Sequence, residues 1–325
     1  MNNMQTTISV ILPVYKEKCK YIIESIDSIL SQTFKKFELI IVVDNPKIES
    51  YINDTLKKYS NRDSRIKLIY NSSNLGLAES INVGINNSES DYIARMDADD
   101  ISLNDRLEKQ IAHIQKYPID ILSTGILYID ENDNFLRVEK NISLVPDKTL
   151  PFFCSIFHPT IIAKRKVFEK YGKYYNLSIS EDYELYLRLL YNGVKFGMLN
   201  EPLLKYRIRK DSLSRNKIYK TRLAFQYINS NYKFCMKKKE YSFDLEKYNK
   251  YINSNFEIDE KKFCYAIDGL KRIRDINNPY KKLKHIVDVV IKSPIWSLTL
   301  VFENIFNKFI VILSNKFSYE NKKCN

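Results

Sequence analysis

The stretch Tyr92-Ile93-Ala94-Arg95-Met96-Asp97-Ala98-Asp99-Asp100 decides how this chain reads. Its first five residues are mostly apolar and read as a buried strand, so the carboxylates fall at that strand's C-terminal end. In open α/β sheets, ligands bind in the crevice beyond such strand ends. Three acids within four residues repel one another, and a divalent cation best offsets that charge. Hard ions such as Mg²⁺ or Mn²⁺ take carboxylate oxygens and are often shared with substrate phosphates. A helix N-cap with acids in its first turn would suit the same pattern through the helix dipole. The segment alone leaves both readings open.

Working outward, the preceding residues alternate strand and helix patterns. Ile8–Val14 is a buried-strand run, and Tyr21–Ser31 places Ile22, Ile26, Ile29 and Leu30 at helical spacing. Phe37–Val43 is a second apolar strand, followed by a polar helical stretch to Tyr59. Arg65–Tyr70 largely alternates polar with apolar residues and predicts a third strand. Gly76–Asn86 reads as a helix before the Tyr92 strand. This alternation implies a parallel sheet with right-handed crossovers.

Beyond the acids, Asn104–Tyr117 predicts an amphipathic helix stopped by Pro118, and residues 120–160 read as strands and loops. A helix over Glu181–Tyr191 ends at Asn192-Gly193, and short strands continue through Arg209. Past Asp211 the composition shifts to Lys, Asn and Tyr in helical patterns, which places a boundary near residue 215.

At 325 residues the chain accommodates a catalytic domain plus a smaller appendage. Residues 1–214 hold 29 Lys/Arg against 28 Asp/Glu, whereas residues 215–325 hold 23 against 11, a net of +12. The basic character therefore belongs to the C-terminal third, where nucleic acid, anionic lipid or water alone could meet it. Cys19, Cys154, Cys235, Cys264 and Cys324 are odd in number and show no paired spacing. Reduced thiols in a cytosolic compartment are the expectation. Met1–Thr7 is polar and Ile8–Val14 lacks the flanks of a secretory leader, which agrees with that compartment.

Five ordered motifs carry a family resemblance: Val10-Ile11-Leu12-Pro13-Val14-Tyr15-Lys16-Glu17, Phe37-Glu38-Leu39-Ile40-Ile41-Val42-Val43-Asp44, Asn74-Leu75-Gly76-Leu77-Ala78, Asp97-Ala98-Asp99-Asp100 and Glu181-Asp182-Tyr183. Each is weak alone. In this order over about residues 8–214 the chain resembles a family 2 glycosyltransferase of the GT-A fold. The fold implied is α/β, a Rossmann-like and mostly parallel sheet flanked by helices, with a mainly helical C-terminal extension. Residues 1–214 would form the catalytic domain, with a nucleotide-sugar half over about 1–100 and an acceptor half over about 101–214. Residues 215–325 would form the basic helical region.

By that resemblance Pro13, Val14, Tyr15, Glu17, Asp44, Asn74, Gly76, Asp97 and Ala98 hold the nucleotide sugar. A Tyr15 ring can pack on a base or ribose, and Asp44 can accept a uracil imide N–H. Read alone, Tyr15 would suit a core aromatic and Asp44 a turn after a strand. Asp99, with Asp97, would ligate Mn²⁺ or Mg²⁺ bridging the diphosphate and neutralise charge on the departing nucleotide. Asp182 would be the general base towards an acceptor hydroxyl, with Ser180 as the helix N-cap. Glu181 is the adjacent candidate, and first-turn acids held by the dipole are the plainer alternative. His158-Pro159 stands near the acceptor side, although a lone His is more often packed or hydrogen-bonded than catalytic.

Four positions depart from the family pattern. Val43 stands where an Asp often precedes Asp44, and Asn45-Pro46 replaces a Gly-Ser turn. Ile81 occupies the place of a frequent Arg before Asn82, and Arg209 stands where many members carry His. Arg cannot ligate a metal but can pair with a diphosphate.

The activity implied is inverting sugar transfer from a nucleoside-diphosphate donor, a UDP-sugar, to a glycan or lipid-linked acceptor in surface polysaccharide (capsule-type) synthesis. A catalytically silent nucleotide-sugar-binding protein of the same fold is the alternative. A dinucleotide-dependent dehydrogenase lacks its Gly-x-Gly-x-x-Gly after the first strand. A nucleic-acid partner would explain the basic third but not the acidic cluster, and none is expected. Ile295–Leu313 sets Leu298, Val301, Phe302, Ile305, Phe306, Phe309, Ile312 and Leu313 on one helical side. Ser297, Glu303, Asn304, Asn307 and Lys308 fall mostly opposite. Such a helix fits a peripheral position on an anionic membrane face, packing on the protein's own core, or a homo-oligomer interface.

Overall fold

The structure, a computed structural model, describes residues 7–139, 146–209, 218–254, 257–273, 276 and 278–323. The boundary expected near residue 215 and Cys324 lie outside them.

The N-terminal half alternates as β1 (Ile8–Val14), α1 (Cys19–Leu30), β2 (Phe37–Val43), α2 (Ser50–Arg62), β3 (Ile66–Tyr70), α3 (Leu77–Asn86) and β4 (Tyr92–Arg95). β1 pairs in parallel with β2 and β4, and β2 with β3. Nearly every residue of β1 and β2 is buried because helices cover both faces of the sheet, and a strand covered twice has no polar face to keep. Close packing is visible at Gly84 of α3, where an added Cβ would stand 2.5 Å from the Ile11 Cγ2 of β1. Glycine is what lets that helix rest on the strand.

The chain continues as β5 (Ile101–Ser102), α4 (Arg106–Lys116), β6 (Ile121–Ile129), β7 (Phe135–Glu139), the short α5 (Pro146–Thr149), β8 (Ile162–Lys164), α6 (Arg165–Tyr171), α7 (Glu181–Tyr191) and β9 (Phe196–Arg207). All nine strands form one sheet in the order β3-β2-β1-β4-β8-β6-β9-β5, with β7 beside β6. The first four strands are parallel, as the alternation implied. The second half mixes senses: β8 runs antiparallel to β4 and β6, while β9 runs parallel to β6. Where short strands were expected before Arg209, β9 is a single strand of 12 residues. Register shifts around Gly125 of β6 let the two long strands stay paired through the irregularity.

The C-terminal region is helical: α8 (Ile218–Lys238), α9 (Leu245–Ile252), α10 (Glu257–Ile273), α11 (Pro279–Lys292) and α12 (Pro294–Lys323). It does not stand apart. Tyr219, Leu223, Ile228, Tyr248 and Phe263 share one apolar cluster with Tyr183, Leu187 and Ile85 of the α/β body. The Tyr183 ring stacks on Phe225 at 4.3 Å, and the Tyr248 hydroxyl donates to the Ile179 carbonyl at 2.5 Å. These helices thereby fix the start of α7.

Candidate active site

Parallel strands aim their C-terminal ends at one edge, so β1, β2 and β4 deliver Tyr15–Glu17, Asp44 and Asp97–Asp100 to the same crevice. Asp44 is buried. Its carboxylate accepts from the backbone N–H groups of Leu75 and Gly76, both at 2.8 Å, and from Asn71 Nδ2 at 2.7 Å. Gly76 has φ +86°, a conformation that suits glycine and turns its N–H towards Asp44 just before α3. The Asn74 side chain also accepts from that N–H at 3.1 Å. Asp44 therefore organises the Asn74–Gly76 loop, whatever ligand it also meets. Asp44→Ala would strand the buried Asn71 amide and release the part-buried N–H groups of Leu75 and Gly76, and should destabilise the chain by about 2–4 kcal/mol. Urea unfolding checks this, and an unchanged midpoint would contradict it.

Tyr15 is not a core aromatic: it is 36% exposed and lines a cleft of about 670 Å³ with Lys16, Glu17, Asn45, Pro46 and Asn74. The turn is held by the Tyr15 N–H donating to Glu17 Oε2 at 2.7 Å and by Asn45 Nδ2 donating to the Tyr15 carbonyl at 2.9 Å. Thus Asn45-Pro46 supplies its own anchor where a Gly-Ser turn was expected. Burial raises the Glu17 carboxyl above its ordinary range. Pro13 is half-buried and Val14 buried, the latter holding β2's end through its carbonyl, which accepts from the Asp44 N–H at 2.8 Å. Ile81 lies in the core, so the place of the frequent Arg is taken by packing.

The acids of Asp97–Asp100 do not open a helix. β5 follows them and α4 begins only at Arg106. One carboxylate oxygen from each of Asp97, Asp99 and Asp100 lies within 4.8 Å of the others. Asp100 is turned inward, buried, and accepts the Arg207 N–H at 2.9 Å. Ala98 is buried between them. Arg207, itself buried, donates its Nε to the Asp99 carbonyl at 2.8 Å, so the end of β9 grips the acidic loop from beneath. Burial and the neighbouring Asp97 charge push the Asp99 carboxyl up to about 7. Arg209 Nε lies 3.1 Å from Asp99 Oδ2 and opposes that rise. Arg209 thus stands as a cation facing the acids at the position where many family members carry His. Carboxylates crowded this closely, one of them reluctant to ionise, fit a hard divalent cation held by Asp97 and Asp99.

Glu181 and Asp182 open α7 as expected, but Ser180 does not cap it with its side chain. Ser180 is left-handed (φ +57°) and makes no capping hydrogen bond. Asp182 Oδ1 instead accepts from the Tyr183 N–H at 2.8 Å. Asp182 lines a second cleft of about 430 Å³ with Phe157, His158, Pro159, Tyr206 and Arg207. Burial raises both carboxyls, Glu181 to about 7 with the Asp182 charge adding to the effect. His158 is buried and its Nε2 hydrogen-bonds the Tyr174 hydroxyl at 2.8 Å. Burial and the Arg95 charge hold its pKa well below the ordinary value, so it serves as an uncharged packing and hydrogen-bonding group.

The residue that sequence reasoning passed over is Arg95. It is 3% exposed, and its Nη2 sits 2.5 Å from Asp97 Oδ1. Burial works against its charge, but Asp97 outweighs burial and holds its pKa above the usual arginine value. Its positive charge also favours ionisation of Glu181 and Asp182. One buried guanidinium therefore faces the acids of β4 and of α7 together. Arg106 Nη2 donates to the Arg95 carbonyl at 2.7 Å and holds the strand end in place. The available signal was a charged residue inside an apolar strand run.

Comparison with known proteins places this geometry. The family described as glycosyl transferase family 2 matches residues 9–173. A Methanocaldococcus jannaschii protein named uncharacterized glycosyltransferase MJ1057 is 39% identical over 216 residues, 65% of this chain and 74% of that protein. The O-antigen biosynthesis glycosyltransferase WbnJ of Escherichia coli is 38% identical over 213 residues, 64% of this chain and 82% of its own. Residues 1–349 of S. aureus TarS, solved in complex with UDP-GlcNAc, share the fold with a TM-score of 0.58 at 15% identity. That match covers 97% of this chain and 92% of that one.

Proposed function

This chain belongs to glycosyl transferase family 2, and we propose that it moves a sugar from a UDP-sugar to a hydroxyl of a glycan or lipid-linked acceptor, with inversion, in surface polysaccharide synthesis. The observation that carries this reading is the placement of acids from two elements around Arg95: Asp97 at the end of β4, with Asp99 close beside it, and Asp182 at the start of α7. The WbnJ relative supports the polysaccharide setting by its name, and the TarS complex supports a UDP-linked donor.

In this reading the Tyr15 turn and the Asp44-anchored loop hold the nucleotide, while Asp97 and Asp99 hold Mn²⁺ or Mg²⁺. When bound, that ion would neutralise charge on the diphosphate leaving group. Arg209 offers a second cation to the same diphosphate. Asp182 accepts the acceptor hydroxyl's proton as its oxygen bonds to the anomeric carbon and the bond to the diphosphate breaks. An ionised carboxylate is a weak base towards a sugar hydroxyl, so proton transfer accompanies attack. Attack opposite the leaving group gives single displacement and inversion.

The test is a screen of UDP-sugars with and without Mn²⁺ or Mg²⁺, read as UDP release and thermal stabilisation. Metal-dependent release from one or a few donors is expected. Failure of every UDP-sugar to stabilise the chain or to release UDP would overturn the donor assignment.

A pH dependence follows from Glu181 and Asp182. Glu181 takes up a proton as the pH falls through about 7, and burial raises the Asp182 carboxyl above its ordinary range as well. The base must be ionised, so transfer should fall as the pH drops and Asp182 takes up its proton, at a pH above the ordinary carboxylate range. Glu181→Gln removes the neighbouring negative charge and should move the acid limb to lower pH, with the plateau rate reduced less than about tenfold. A pH–rate profile unmoved by Glu181→Gln would show that the two carboxyls do not share the titration.

A further inference from the structure

We propose that the outward apolar side of α12, continued by Phe152 on the loop that leads to the second cleft, docks on an anionic lipid bilayer. The helix is mounted with part of its polar side inward, although Asn304 and Lys308 are exposed. Ser297 is buried and donates to the Ser293 and Val289 carbonyls, and Glu303 pairs with Arg222 of α8. Two apolar residues also face inward: Trp296, wedged against Phe263 at 5.1 Å, and Leu300, packed on the core cluster. The remaining apolar side faces away from the body: Leu298 is 62% exposed, Phe302 69%, Ile305 64% and Phe309 55%. Packing on the protein's own core, the plainest expectation for such a stripe, is therefore not what this side does. Contiguous exposed apolar surface of this kind marks an interaction site.

Two observations choose the occupant. The first is charge: residues 215–325 carry 23 Lys/Arg against 11 Asp/Glu. A second copy would bring the same excess of positive charge against this one, whereas anionic headgroups are drawn to it. The second is continuity with the cleft. Phe302 stacks with Phe306, and Phe306 meets Phe152 at 5.8 Å. The loop carrying Phe152 is tied to the base-bearing helix, because the Tyr183 hydroxyl donates to the Leu150 carbonyl at 2.8 Å. Farther along this loop, burial and the Asp182 charge both push the Cys154 thiol upward. The apolar surface thus reaches the loop that goes on to line the second cleft with Ile156 and Phe157, where a bilayer would present a lipid-borne hydroxyl. Pro294–Ile312 is long and apolar enough to cross a membrane, but its inward polar contacts favour lying along the surface.

The test uses the full chain and vesicles of phosphatidylcholine alone or with one third phosphatidylglycerol. Co-sedimentation should be strong on the anionic vesicles, at least tenfold weaker on neutral ones, and reduced by salt as charge is screened. The triple variant Phe302→Ser, Ile305→Ser, Phe309→Ser alters exposed side chains only. It should lose at least tenfold in vesicle binding while keeping its melting temperature and its binding of UDP. The proposal is overturned if the intact chain ignores anionic vesicles or if the triple variant binds them equally. It is also overturned if sedimentation shows a dimer that the triple variant dissolves without any vesicle binding by the parent. Because the readout is vesicle binding, its failure would leave the transferase reading untouched.

Discussion

Asp182→Asn is expected to slow sugar transfer by about 10²–10⁴-fold, the usual contribution of a general base, with UDP affinity little changed. The substitution keeps the shape and leaves an amide oxygen to accept the Tyr183 N–H that Asp182 now holds. Only the proton acceptor is lost. Donor affinity should survive because the groups assigned to the donor belong to other elements, namely the Tyr15 turn, the Asp44-anchored loop and Asp97 with Asp99. Asp182 lines the second cleft, apart from the Tyr15 cleft. Transfer kinetics and UDP calorimetry on the same preparation separate the two roles. If Asp182→Asn stayed fully active while Glu181→Gln was crippled, the base would be Glu181. Full activity in both would make the pair a helix terminus and put the base elsewhere.

Asp99→Asn should reduce transfer by about 10³-fold or more, since a metal ion's stabilisation of transition-state charge amounts to several kcal/mol. It should also remove most of the difference between UDP affinity measured with and without Mn²⁺. Stability should move the other way. Asp99 has a folded-state pKa near 7, above its ordinary value, so the folded chain disfavours the ionised form. The resulting cost to folding is absent well below the ordinary carboxylate range and complete above about pH 7. At pH 8 without metal, Asp99→Asn should therefore melt no lower than the parent. A lower melting temperature together with unchanged metal dependence would show that Asp99 serves the fold and not the ion.

Much of the site could be read along the chain because its parts stand at strand ends. Tyr15, Asp44 and Asp97 each follow an apolar run, and strands of a parallel sheet put such residues on one edge. The Glu181-Asp182 pair opens a helix whose stop, Asn192-Gly193, was equally legible. Less could be read where the chain's own pattern misleads. Ser180 has the side chain of an N-cap, yet its left-handed backbone leaves that side chain out of the cap. Helix α6 over Arg165–Tyr171 was not anticipated, being only 7 residues long and close behind a short strand.

By itself the sequence determined the strand and helix alternation, the order of the motifs and hence the family. These rest on spacings of two to four residues, which the backbone periodicity converts directly into faces and ends. Tertiary structure alone decided what surrounds the acids. Arg95 comes to serve both Asp97 and Asp182, and Arg207 and Arg209 come to lie by Asp99, because β9 returns across the sheet to β5 and α7 opens against β4's end. It also decided that α12 turns its apolar side outward, which a helical wheel cannot say because it defines two sides without choosing which one meets the body. Periodicity is local, whereas the pairing of charges more than eighty residues apart depends on strand order and closure of the core, and only the folded chain supplies those.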